Sequence, residues 1–319
     1  KWADKAALLR FRERGILPER LLAFIHGFAG AGVPEFALAG NSTEPLLYPL
    51  IGEVMRAIKE IGSDLRLYTN FQFGHEVVAV ASCLTEGDLI RISLDAGSAA
   101  AYDATHQPCI QGAFERILAN VDDLLRERER HGRAFSVVLT FLATRDNVAE
   151  ADLRFIMRWA GEHGADAVRF VRPLIPSGHP QAVHSLTDAE ARDVQLAIGR
   201  IADDLDAATQ FVFALAGDTE TAKPFAACHY WKTAAVLGSR GRFFPCTSTA
   251  TGVYSDALGV GDINSPEFDF WDFWHDTRKW ANLDITRCPE CTRCEFCLNA
   301  RISELAARVD GEGQDTAAA

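Results

Sequence analysis

No apolar run in the 319 residues approaches the roughly 18 that a membrane-spanning helix needs. No signal peptide is visible, and no cluster of lysines and arginines. The balance is 32 Lys+Arg against 44 Asp+Glu, a formal net charge of -12. A chain that acidic and without a basic patch is not expected to bind nucleic acid. Low-complexity composition is absent too: 48% of residues are hydrophobic and 24% charged, the ordinary globular mix, which excludes global disorder. These absences predict a cytoplasmic protein. The opening KWADK carries no Met and is read as following removed residues.

What is present is an uneven distribution of eight cysteines. Cys83 and Cys109 stand alone, and Cys228 and Cys246 form a spaced pair. Cys288, Cys291, Cys294 and Cys297 follow one another with two residues between neighbours. A disulfide framework belongs to short secreted chains. Clustered Cys-x-x-Cys in a reducing compartment points instead to zinc or to an iron–sulfur cluster, both of which take four thiolates. The first pair reads C-x12-G-x4-C with Gly241 inside it, and the run supplies C-x2-C-x5-C through Cys288, Cys291 and Cys297. Residues 231–246 read as a hairpin turning at 238–241, which would bring Cys228 and Cys246 to one end.

The first two-thirds alternate strand and helix patterns. Strand-like runs are 35–39, 65–69, 89–94, 135–142, 166–172 and 211–215. Helix-period stretches lie at 18–29, 46–61, 112–129, 148–162 and 188–205. Pro18 suits a first helical turn, and Thr187 with Glu190 forms a capping box. Repeated strand–helix units predict a parallel sheet, either a barrel or a doubly wound sheet. Polar residues close three successive strands: Gly40-Asn41-Ser42-Thr43-Glu44, then Tyr68-Thr69-Asn70, then Ser93-Leu94-Asp95. That edge is the usual active-site face of an α/β barrel. A plain strand-to-helix turn, with Pro45 in the first turn, accounts for the first of these when it is taken alone.

The order GNSTEPLLYP, LYTNF, IRISLDAGSAAAYDATH and a cysteine-rich tail resembles a radical S-adenosylmethionine (SAM) enzyme with a C-terminal twitch or SPASM extension, over about Pro18 to Asn299. The resemblance implies a partial (β/α)6 TIM-like barrel, its first strand missing, over residues 1–222. A small cysteine-rich domain would span 223–308 and a disordered tail 309–319. It implies that Gly40, Asn41, Ser42, Thr43 and Glu44 match the segment holding the SAM amino group, departing from the family's Gly-Gly-Glu pattern in length. Asn70, Ser93 and Asp95 match positions near SAM. Cys228, Cys246, Cys288 and Cys291 are the expected ligands of one auxiliary 4Fe–4S cluster, with Cys294 and Cys297 spare or alternative. A full SPASM pattern would continue with C-x3-C, but position 301 is Arg, so the single-cluster twitch form fits better.

The family's CX3CX2C motif, which holds the reducing cluster, is absent from this sequence. The chain is therefore read as an N-terminally truncated member, inactive as given, with a scaffold or zinc-ribbon protein on a degenerate barrel as the alternative. The implied chemistry is cleavage of SAM by a reduced cluster to give a radical that abstracts a substrate hydrogen. Expected substrates are small sugar or aminocyclitol molecules, epimerised or dehydrogenated, or peptides; the expected electron donor is a flavodoxin or ferredoxin. Cys109 is a candidate hydrogen donor, and Cys83 reads as a small core residue. His106 is expected to pack or cap. Of Arg169 and Arg172, one is expected to face inward or sit at a rim. The aromatic stretch 268–274 is expected to serve domain packing.

Overall fold

The computed structural model describes residues 15–40, 44–106, 110–173, 184–205, 208–214, 223–250, 255–288, 291 and 293–315. Two compact units are present, Ile25–Asp218 and a second made of Lys1–Phe24 with Thr219–Ala319.

The larger unit carries six parallel strands in strictly sequential order: β1 (Glu35–Leu38), β2 (Asp64–Thr69), β3 (Leu89–Ser93), β4 (Ser136–Leu142), β5 (Ala167–Val171) and β6 (Gln210–Ala214). A doubly wound sheet reverses its order at a switch point. This one does not, so the sheet is of the barrel type, a six-stranded parallel arc. The helices, numbered from α1 (Pro18–His26), continue with α2 (Ile51–Glu60), α3 (His75–Val78), α4 (Ala99–His106), α5 (Ala113–Arg130), α6 (Glu150–His163) and α7 (Asp188–Leu205).

Alternation decides which sheet face is covered. In β2, β3 and β4 every second residue is buried, namely Leu65, Leu67, Thr69, Ile90, Ile92, Val137, Leu139 and Phe141. Those side chains form the packed face with the apolar stripes of the helices, among them Val54, Met55 and Ile58 of α2 and Ile117, Val121 and Leu124 of α5. The alternate residues, including Tyr68, Arg91, Ser93 and Thr140, lie on the opposite face and are only half-buried.

Three local differences from the sequence pattern have physical causes. The expected helix 46–61 is a 3-10 turn, Pro45–Leu47, followed by α2. Pro49 forces Tyr48 out of the helical region, to ψ 124. Helix α4, absent from the periodicity reading, forms on an alanine run whose first turn is tied by Ala101 N–H donating to Ser98 Oγ at 3.3 Å. The last helix runs from Arg293 to Asp315, into the stretch read as a disordered tail. Glu304 bridges Arg301 and Arg308 along it.

In the smaller unit β7 (Val236–Leu237) and β8 (Phe243–Phe244) pair antiparallel, as the hairpin reading predicts. Gly241 sits at φ +84, where a side chain would also meet Asn264 and Asp262. Its core is Ile16, Trp231, Phe243, Ile263 and Trp280. Phe268, Phe270 and Phe273 of the aromatic stretch surround Phe243 with centroids 4.8–5.7 Å away. Phe24 packs on Phe243 and Phe270. Ile16, Leu21 and Phe24 join this aromatic core, so the described residues up to Phe24 group with the cysteine-rich unit. No helix among the described residues is long and apolar enough to cross a membrane.

Candidate functional site

The C-terminal edge of the sheet carries the first constellation. The Glu44 carboxylate reaches across to the end of β2: Oε1 accepts from Thr69 Oγ1 at 2.5 Å and from Leu46 N at 3.1 Å, and Oε2 accepts from Asn70 N at 2.8 Å. Glu44 thus clamps the loop after β1 onto the loop after β2. Gly40 is exposed beside it, and Asn41, Ser42 and Thr43 lie outside the described residues.

Asp95 makes the equivalent clamp after β3. It is 7% exposed, and its Oδ1 accepts from Leu142 N at 2.6 Å while Oδ2 lies 3.2 Å from His106 Nε2. Its own carbonyl accepts from the buried Asn147 Nδ2 at 2.8 Å. His106 stacks on the buried Tyr102, centroids 4.3 Å apart, so it packs as expected and also pairs with Asp95. Tyr102 accepts from Gln72 Nε2 at 3.0 Å, and burial pushes its phenol above the ordinary value.

Among the described residues, Phe71 (φ 59) and Asp95 (φ 56) are the non-glycine residues in left-handed backbone. They follow the ends of neighbouring strands. Left-handed backbone at a bulky residue costs of order 1–3 kcal/mol and persists where surrounding structure over-determines it, commonly at ligand sites. Here Phe71 is fully buried, its N–H donates to Thr69 Oγ1 at 2.8 Å and its carbonyl accepts from Asn120 Nδ2 at 2.9 Å.

The clamp leaves free groups. Asn70 Oδ1 accepts from Gln72 N at 3.0 Å, while among the described residues its Nδ2 and the Ser93 hydroxyl have no partner. Arg169 lies on the half-buried face, opposite Thr140 and Val212 in the register. Arg172 sits at the rim, 2.6 Å from Asp188. Cys109 lies outside the described residues. Cys83, read as a core residue, is only half-buried, with Sγ 2.9 Å from Val80 O, and burial pushes its thiol up.

The second constellation lies within the smaller unit. Cys228, Cys246, Cys288 and Cys291 line one pocket, together with Lys223, Thr249, Glu295 and Asn299. These are the four cysteines that the family resemblance names as expected ligands; spacing alone leaves Cys294 and Cys297 as alternatives. Cys297 is exposed on α10 (Arg293–Asp315), numbered after α8 (Ser255–Leu258) and α9 (Phe270–His275). Cys294 lies on the same helix, and its side chain is outside the described set. Burial pushes Cys246 up to about 12, with Glu295 adding to it. Burial likewise raises Cys288 and Cys291, against the opposing pull of Lys223.

Sequence reasoning missed what holds this pocket together. Glu295 is 2% exposed, and its Oε1 accepts from Thr247 N at 3.1 Å and Thr247 Oγ1 at 2.8 Å, just beyond Cys246. One turn on, Asn299, 1% exposed, accepts from His229 N at 2.6 Å and Tyr230 N at 3.0 Å, just beyond Cys228. Lys223 Nζ donates to Ile285 O at 2.8 Å, ahead of Cys288. The i, i+4 spacing of two buried polar residues on a cysteine-bearing helix was the available signal. Among the described residues, no three His, Cys, Asp or Glu side chains already converge to metal-binding distance. The donor set itself, four thiols in one largely apolar pocket, fits a thiolate-held metal group.

No family model matches the chain, and no curated protein does. Solved structures of similar fold do exist. SuiB from Streptococcus suis aligns with a TM-score of 0.59 at 15% identity, over 82% of this chain and 60% of that one. SuiB bound to its precursor peptide SuiA gives 0.54 at 13% identity, over 83% and 59%. Native anSMEcpe with bound AdoMet and the Kp18Cys peptide gives 0.52 at 13% identity, over 88% and 80%. The chain thus spans about 60% of the length of SuiB. At these identities the likeness is one of fold.

Proposed function

We propose that this chain is the SAM-binding barrel and auxiliary-cluster region of a radical SAM enzyme. The carrying observation is the clamped, locally left-handed C-terminal edge of β1–β3, where the motifs that resemble the family's SAM segments meet. By the resemblance, Gly40–Thr43 is the segment expected to hold the SAM amino group, and Asn70 Nδ2 and Ser93 Oγ are the side-chain donors left to the ligand. Glu44 and Asp95 act by holding loops in place, since their oxygens are engaged by backbone amides, Thr69 and His106. SAM, once bound and reductively cleaved, supplies a carbon radical able to take a hydrogen from an unactivated position.

In the smaller unit Cys228, Cys246, Cys288 and Cys291 would hold one 4Fe–4S group that supplies electron transfer. Glu295, Asn299 and Lys223 position the loops that carry three of those thiols. Structures of this fold hold peptides in two cases, which favours a peptide substrate over a sugar. Cys109 remains the candidate hydrogen donor for an epimerisation.

Anaerobic reconstitution with iron and sulfide is expected to yield about four irons and four sulfides per chain. Calorimetric titration is expected to show SAM binding. Because the sequence has no CX3CX2C motif, this chain is expected to bind SAM without releasing 5′-deoxyadenosine. Stoichiometric zinc with no sulfide would sink the cluster assignment, and failure to bind SAM would sink the barrel assignment.

A further inference from the structure

The half-buried face of the sheet, turned away from the helices, is acidic in none of its central positions. Tyr68, Arg91 and Val138 stand side by side in the register, and Ser93, Thr140 and Arg169 form the next row toward the C-terminal edge. Glu35, on β1, is paired with Arg66 at 2.7 Å. Arg91 has no such partner: among the described residues no carboxylate pairs with it. Its guanidinium carbon lies 5.0 Å from the centre of the Tyr68 ring. Arg91 Nε and Thr140 Oγ1 are both buried, and among the described residues neither has a hydrogen-bond partner.

A buried donor left unpaired costs about 1–3 kcal/mol, and more when the group is charged. Stacking on Tyr68 satisfies the flat face of the guanidinium but none of its N–H groups. What completes such a group is an anion with two oxygens in a plane, which meets the guanidinium fork edge-on. Toward the N-terminal end of the same face a pocket of about 510 Å³ is lined by Leu89, Ser136, Val138, Ala167 and Gln210, and by Asp166, whose carboxylate is paired with Arg128; Arg91 lies beyond its lining, toward the C-terminal edge. In a chain of net charge -12, an unpaired arginine on an inner sheet face is not a general electrostatic feature.

We propose that Arg91, stacked on Tyr68 and with the unpartnered Thr140 hydroxyl one row on, is a carboxylate-binding subsite, and that the substrate is a carboxylate-bearing molecule such as an acidic peptide segment. The subsite itself stands on the geometry above; the word substrate rests on the SAM-enzyme reading of the same barrel.

The test uses the full chain with 15N-labelled arginine, the Arg91 Nε–H resonance being assigned by its loss in Arg91→Met. Glutarate is the probe and its uncharged dimethyl ester the control. Glutarate is expected to shift that resonance saturably and the ester to leave it in place. Arg91→Lys, which keeps the charge but loses the fork and the stack, is expected to bind glutarate at least tenfold more weakly by calorimetry, and it carries the comparison should Arg91→Met not fold. No shift, equal shifts with both probes, or unchanged affinity in Arg91→Lys would overturn the subsite. SAM titrated into the wild type separates the two readings. If SAM itself moves the Arg91 resonance and displaces glutarate, the arginine serves the cofactor and the substrate assignment falls. If SAM does not bind and glutarate does, the SAM reading falls and the anion subsite stands.

Discussion

Asn299 directs one carbonyl oxygen at two consecutive amides, His229 N and Tyr230 N, across 70 residues of sequence. Asn299→Ala removes that acceptor from a buried place, which costs about 1–3 kcal/mol. Denaturant unfolding of the smaller unit should register that loss, and iron retained after reconstitution should fall, because the Cys228 loop is no longer held. Unchanged iron with unchanged stability would remove Asn299 from the positioning role. Gly97 makes the complementary case at the other site. A Cβ there would run into the backbone of Asp152, at the start of α6. Backbone cannot swing aside as a flexible side chain can, so Gly97→Ala forces the loop after β3 to move, at about 1–3 kcal/mol. Thermal unfolding should show the destabilisation, and SAM affinity should drop with it because Asp95 sits on that loop and Ser93 at the strand end leading into it. A variant as stable as the parent would show that the loop has slack.

Helix α7 shows how a local signal becomes an element boundary. Thr187 Oγ1 accepts from Glu190 N at 3.2 Å and Glu190 Oε2 accepts from Thr187 N at 2.6 Å, the reciprocal pair that the T-x-x-E pattern predicts. Arg145 adds a charge-assisted contact at 2.9 Å. Together the Arg145 guanidinium and the Thr187 amide and hydroxyl hold Glu190 down to about 2, from an ordinary 4.5. A carboxylate whose folded value is depressed contributes stability that is complete above the unfolded value and is lost as pH falls through the folded one. The Glu190 contribution is therefore expected to be whole above pH 4.5 and to vanish as pH approaches 2. Carboxyl 13C titration should place its midpoint well below 4.5. Arg145→Ala should move that midpoint up further than Thr187→Ala does, and added salt should move it up as well, since the pair is exposed. A midpoint near 4.5 in the parent would show the contact to be absent in solution.

For the whole molecule, the division into two units predicts two separable responses to ligand. A ligand at a hundredfold its dissociation constant adds about 2.7 kcal/mol to the unit that binds it. SAM is expected to raise the unfolding transition reported by amides of 25–218. Iron and sulfide are expected to raise the one reported by amides of 223–308. Hydrogen exchange resolved by residue checks this, since each ligand should slow exchange mainly in its own unit. Protection of both units by either ligand alone would show that they unfold as one.

Sequence alone determined the strands, the main crossover helices, the hairpin and the clustering of the C-terminal cysteines. Each of these is written in a short-range regularity: alternation along Leu89–Ser93, the 3.6-residue stripe of α5, the Gly241 turn, the Cys-x-x-Cys spacing. Sequence also marked Glu44, Asn70, Ser93 and Asp95 as neighbours, because polar residues closed three successive strands. Tertiary structure alone decided that the strands run in sequential order, and so that the sheet is barrel-like and not doubly wound. It decided that Glu44 and Asp95 hold loops together, that Glu295 and Asn299 brace the cysteine loops, and that Arg91 faces away from the helices with nothing among the described residues to pair with. The reason is common to all of them. A hydrogen bond between Asp95 and Leu142, or Glu295 and Thr247, joins residues 47 or 48 positions apart, and such a separation leaves no periodic trace in either segment.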